Sequence, residues 1–110
     1  MKITVRFLGL PPSDAVRQFV ERQAVTHLSR FSHDVESVEL RVRDVNGPRG
    51  GDDMECRATA KGPRVGFTTI TELSNDAYHS VGMALTRLAR AVARSLERAR
   101  SLHPAPHLLS

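Results

Sequence analysis

Apolar residues recur along this chain with two different periods, and the switches between them mark out its elements. Ile3, Val5 and Phe7 lie on one side of a run whose other side is Thr4 and Arg6, the period-two pattern of a half-buried strand over residues 2–8. GLPPS stops that run, and Ser13 is placed to cap a helix with Asp14 in its first turn. From there to about Phe31, Val16, Phe19, Val20, Ala24, Leu28 and Phe31 fall at helical spacing, with His27 in the same stripe, until SHD breaks the helix. Val38, Leu40 and Val42 then alternate with Glu39, Arg41 and Arg43 in a second strand, and Met54, Cys56 and Ala58 with Glu55, Arg57 and Thr59 in a third. Between these two, DVNGPRGGDD (44–53) is hairpin or loop chemistry. AKGPR (60–64) turns the chain into a fourth strand from Val65 to about Thr71, and SND (74–76) supplies caps for a final helix to about Leu102.

The order β-α-β-β-β-α, with hairpin links among the last three strands, predicts the α+β class. The expected architecture is a two-layer sandwich, a four-stranded sheet with both helices packed on one face and the other face wet. The 110 residues leave room for one compact domain, expected over 1–102, with HPAPHLLS (103–110) fraying into a disordered tail. Such folds host many functions, so the architecture alone decides nothing.

Charge changes the picture. The stretch RLARAVARSLERAR (87–100) carries five arginines and one glutamate, which equals the whole net charge of +4. The basicity is therefore local, as a binding footprint would be. At 3.6 residues per turn Arg87, Arg90, Arg94 and Arg98 fall within an arc of roughly 80°. Val81, Leu85, Leu88, Val92, Leu96 and Ala99 gather on nearly the opposite side. Like charges in one stripe repel and only Glu97 offsets them, so the free helix gains nothing from the pattern and a polyanionic partner would. Arginine outnumbers lysine 14 to 2, which suits bidentate phosphate recognition and is explained equally well by codon bias across a genome. These four positions lie away from the apolar stripe, so their loss is expected to change stability little. Arg22, Arg49 and Arg100 are further candidate RNA contacts, whereas Arg41 and Arg43, on the outer sheet face, are expected to matter less. Five aromatic residues occur and none interleaves with the helix arginines, which argues against single-strand binding by base stacking.

Other chemistry is sparse. The lone cysteine, Cys56, excludes an internal disulfide and fits a reducing compartment. MKITVRFLGL is interrupted by Arg6 and does not read as a signal peptide, and no segment reaches membrane-spanning length, so a soluble cytoplasmic protein is expected. No two of His27, His33, His79, His103 and His107 sit at i,i+4 on a helix, and Cys56 has no partner at metal-ligand spacing, so neither metal nor cofactor is expected. His27 reads better as a hydrogen-bonded core histidine. GPRGGDD lacks the Lys-Ser/Thr pair and the following helix of a phosphate loop, and Asp52, Asp53 and Glu55 lack calcium-loop spacing. Ser29, Ser32 and His33 form no nucleophile motif. No catalytic set emerges; the chain reads as a binder rather than an enzyme.

DAYHSVGMALTRLARAVARSLER resembles the final helix of the ribosome hibernation promoting factor and ribosome-associated translation inhibitor family. The likeness rests on Asp76, Tyr78, Ser80, Val81, Arg87, Leu88 and Arg90, with Arg94 and Arg98 continuing the basic run. SDAVRQFVERQAVTHLSRF is similar to the family's first helix, and RDVNGPRGGDDMEC (43–56) looks like the long hairpin of its short, single-domain branch. The resemblance spans about residues 2–102. Gly82 and Thr86 stand where an acidic residue is common, and Ala24 replaces a larger apolar one; none of these removes the basic stripe. The second domain that long members use to pair ribosomes is not expected here, so the resemblance does not imply direct ribosome pairing by that route.

The resemblance implies a non-catalytic factor that occupies the small ribosomal subunit, contacts its ribosomal RNA and holds idle ribosomes inactive. Neither a membrane nor a small-molecule substrate is implied. The alternative is a stand-alone RNA- or protein-interaction module with a different target. A free edge strand could also pair two copies weakly.

Overall fold

Most of these boundaries have a visible physical cause in the computed structural model of the protein, which describes residues 1–45 and 53–102. Strand β1 (Lys2–Leu8) leads through Gly9, whose φ of +76° suits glycine, to helix α1 (Asp14–Leu28). The Ser13 side chain accepts a hydrogen bond from the Val16 N–H at 3.2 Å, so the expected cap is in place. The α-helix stops at Leu28, and Ser29–Phe31 tighten into a 3-10 turn where a continuous helix to Phe31 was expected. Strands β2 (Ser37–Asp44), β3 (Met54–Gly62) and β4 (Gly66–Ser74) form a meander, and helix α2 (Ala77–Leu102) follows. The interior of the 44–53 stretch, with Arg49, and the 103–110 segment lie outside the described residues.

The sheet order is β1-β2-β3-β4, with β1 parallel to β2 and the other pairs antiparallel. Strand β4 runs past the expected Thr71 because pairing with β3 continues through Leu73 opposite Glu55 and Ser74 opposite Met54. Val65, expected to begin that strand, instead sits buried in the tight turn before it. At the same end Gly62 is obligatory, since a Cβ there would stand 1.8 Å from the Asp34 carbonyl oxygen. Arg64 pairs with the Asp34 carboxylate at 3.2 Å across this close approach.

Both helices cover one sheet face. Val38, Leu40 and Val42 of β2 and Cys56, Ala58 and Ala60 of β3 point into the layer with Val20, Ala24 and Leu28 of α1 and Val81, Leu85, Leu88 and Val92 of α2; all are essentially inaccessible. The inward side chains of β3 are small, which gives α2 room to lie close over the sheet. Each buried Val or Leu contributes about 1.5–3 kcal/mol relative to exposure, so this seam dominates the fold's stability. His27 is half-buried, with Nε2 3.1 Å from Gln23 Oε1, as a hydrogen-bonded histidine beside the core should be.

The opposite sheet face is open to solvent, and the register sorts its side chains into rows running across the strands. One row is Lys2, Ser37, Lys61 and Phe67; the next is Thr4, Glu39, Thr59 and Thr69; a third is Arg6, Arg41, Arg57 and Thr71.

Candidate nucleic-acid interface

Helix α2 begins with its first orphan amides satisfied. Asp76 Oδ1 accepts from the Tyr78 N–H at 3.0 Å, and the Asp76 amide donates to Ser74 Oγ at 3.2 Å. Tyr78 lies edge-on to Phe19 of α1, ring centroids 5.2 Å apart, which ties the start of one helix to the middle of the other. This anchoring, with the buried Val81-Leu85-Leu88-Val92 seam, fixes which side of α2 faces outward.

Arg87, Arg90, Arg94 and Arg98 are all exposed on that outward side. Their surroundings differ. Arg87 forms an ion pair with Glu72, a β4 carboxylate on the inner side of the sheet with only 10% of its side chain exposed. That corrects the expectation that all four can be removed with little effect on stability. Arg98 donates to Ser95 Oγ at 3.3 Å, and Ser95 Oγ lies 3.5 Å from Thr68 Oγ1 of β4. Arg87 and Arg98 thus lean toward the sheet edge. Among the described residues no carboxylate lies within ion-pair distance of Arg90 or Arg94, and Glu97 makes no ion pair with the stripe.

Arg90 opens onto a shallow groove between the helices, lined also by Thr86 and Ala89 of α2 and by Thr26, His27 and Arg30 from the first helix and its 3-10 turn. Thr26 and Thr86 each donate back to the carbonyl four residues earlier, Arg22 and Gly82, at 2.9 and 2.8 Å. With both hydroxyls so engaged, Arg30 and Arg90 supply the groove's cationic donors toward an outside anion. Arg30, held over the Phe31 ring at 4.6 Å, is a candidate contact that sequence reasoning missed. It belongs to no periodic stripe, and only the packing of α1 on α2 brings it near Arg90.

Arg22 is exposed one turn before Thr26. Arg100, also exposed, falls about 120° around α2 from the middle of the stripe and does not extend it. Arg17 serves the fold: it donates to the Val5 carbonyl of edge strand β1 at 3.4 Å and lies 5.5 Å from the centre of the Phe7 ring. Cys56 is sealed in the core, and its thiol is pushed up to about 12 by burial first and then by Glu55 and Glu72. No described helix is long and apolar enough to cross a membrane.

Residues 3–100 match the family described as sigma 54 modulation protein / S30EA ribosomal protein. The fold is similar to that of the Protein Y N-terminal domain of Thermus thermophilus, with TM-score 0.70 and 21% identity, covering 86% of this chain and 98% of that one. It is likewise similar to a ribosomal subunit interface protein from Coxiella burnetii, with TM-score 0.71 and 16% identity, covering 86% and 96%. At these identities the likeness speaks for the fold. No curated protein sequence matches the chain.

Proposed function

This chain belongs to the sigma 54 modulation protein / S30EA ribosomal protein family, and on that premise we propose that it is a non-catalytic cytoplasmic factor that binds the small ribosomal subunit through its helical face and holds the ribosome inactive. The observation that carries the reading is the outward stripe of α2. Arg90 and Arg94 stand without a carboxylate partner among the described residues, flanked by Arg98 and, across the groove, by Arg30.

Arg87 to Arg98 covers about 16 Å of helix at 1.5 Å per residue, enough to follow several phosphates. Guanidinium groups so placed neutralise phosphate charge and fix position, while the shape of structured RNA selects the site. Arg87 contributes less to this field than its neighbours because Glu72 offsets its charge.

Cosedimentation with purified small subunits, against an equal mass of total RNA, tests the proposal. The protein should pellet with the subunits in preference to free RNA, and the Arg87→Ala, Arg90→Ala, Arg94→Ala, Arg98→Ala quadruple variant should not. Undiminished pelleting of a folded quadruple variant would remove the helical face from the reading. Binding to total RNA without preference would favour a general RNA-interaction module.

A further inference from the structure

We propose that the open sheet face is a second nucleic-acid surface, which takes a short unpaired strand of RNA with a base stacked on Phe67. This goes beyond the helical-face reading and does not rest on it, because the two surfaces lie on opposite sides of the two-layer domain.

The first observation is Phe67 itself, 76% exposed on an outward row where nothing in the fold needs an aromatic ring. Lys61, its partner across β3 and β4, places its ammonium 5.0 Å from the ring centre. The stacking excluded by chain order is thus restored by register: an aromatic ring does sit among cations, on the sheet and not on the helix.

The second observation is the arginine row. Arg41 stands directly opposite Arg6 on one side and Arg57 on the other. Like charges directly opposed across strands are destabilising. Glu39 offsets part of this, at 3.4 Å from Arg6 and 3.2 Å from Arg41. Such a row costs the free protein stability and is offset when a polyanion lies along it.

The third is the shape between these rows. A hollow of about 500 Å³ crosses all four strands, bounded by Lys2, Arg6, Glu39, Thr59, Lys61 and Phe67. Three inter-strand steps span about 14 Å, room for a few nucleotides. Thr59 in the hollow and Thr69 beside it, their hydroxyls 3.1 Å apart, offer partners to a ribose 2′-OH. A duplex presents no free base face to the ring except at its two ends. An acidic peptide would use the arginines without needing its π-surface.

Fluorescence anisotropy of a labelled ten-nucleotide unpaired RNA, with the same sequence closed into a duplex as comparison, tests this on the full chain. Phe67→Leu keeps apolar bulk but loses the ring, and should weaken the unpaired RNA about tenfold. Phe67→Tyr should bind like the parent. Arg41→Ala with Arg57→Ala should lower the log–log salt slope by about 1.4, from about 0.7 per phosphate on single strands. The helical quadruple variant should keep the full Phe67 dependence, so this result and that of the subunit experiment are separable. Phe67→Leu binding as tightly as the parent, or the duplex binding as well as the open strand, would overturn the proposal. Phe67, Arg41 and Arg57 are exposed, so these variants should fold, which circular dichroism checks independently.

Discussion

Arg87 of α2 and Glu72 of β4 form an ion pair between unequal partners: the carboxylate is nearly buried, while 57% of the arginine side chain remains in water. Removing the arginine leaves a carboxylate on the inner side of the sheet without its counter-charge. The loss of a fully buried partner costs about 3–5 kcal/mol, and solvent screening of the exposed guanidinium reduces this to about 1–2 kcal/mol here. Arg87→Ala should therefore lower the unfolding free energy by that amount in urea titrations, whereas Arg90→Ala changes it by less than about 0.5 kcal/mol. Adding Glu72→Leu to Arg87→Ala should recover most of the loss, since an apolar pair leaves nothing unsatisfied.

The same pair divides the arginine stripe in binding. Arg90→Ala and Arg94→Ala should each lower the log–log salt slope of small-subunit affinity by about 1, with little dependence on base identity. Arg87→Ala should lower it by less, because Glu72 already offsets part of the charge removed. Equal slopes for all three variants would show that Glu72 does not shield Arg87. Arg30→Ala should behave as Arg90→Ala does if the inter-helix groove seats a phosphate.

Asp76 and Tyr78 are expected to act through the fold. Asp76→Ala removes the cap of α2 and should cost about 0.5–2 kcal/mol of stability. Tyr78→Phe retains the edge contact with Phe19 and should leave both stability and small-subunit affinity unchanged. Loss of affinity with stability intact, in a cosedimentation titration, would move the Tyr78 hydroxyl to the contact surface.

Cys56 gives a pH signature of opposite sign to that of the usual salt-bridged carboxylate. Burial raises its thiol from 9.0 to about 12, so the folded state holds the proton over a range where the unfolded chain releases it. Its contribution to stability is complete below pH 9 and falls away as pH rises toward about 12. Comparing denaturation midpoints of the parent and Cys56→Ala from pH 8 upward should show the parent losing ground. The native thiol should also react with a disulfide reagent only as fast as the chain opens.

Much of this was legible in the sequence because it follows from periodicity. The element order, the Ser13 cap, the Asp76 cap and the buried seam of α2 are local properties, and each is where the spacing puts it. What the sequence hides depends on register. In β4 the bulky apolar residues Phe67 and Leu73 face outward, while Thr68 and Glu72 face the helices beside Ile70, so only Ile70 of these five sits where hydrophobicity alone puts it. The Arg6-Arg41-Arg57 row takes one residue from each of three strands, and no spacing along the chain reveals it. Arg30 reaches the inter-helix groove through packing. Glu72 has a one-dimensional signal only in the strand's parity, as the single carboxylate among the inward positions of β4.

The parallel pairing of β1 with β2 also bears on the order in which the domain can assemble. The β2-β3-β4 meander closes through neighbouring segments, and α2 follows it directly, so this part needs little loop-closure entropy. Strand β1 pairs only after the whole of α1 has been laid across the sheet to return the chain in the same direction. Pairing of β1 therefore waits on α1 and β2 and not on a neighbouring hairpin. Until it docks, the inward edge of β2 stands open, with Val38, Leu40 and Val42 beside an unpaired backbone. Docked β1 covers that edge, at which two partly folded copies could otherwise pair.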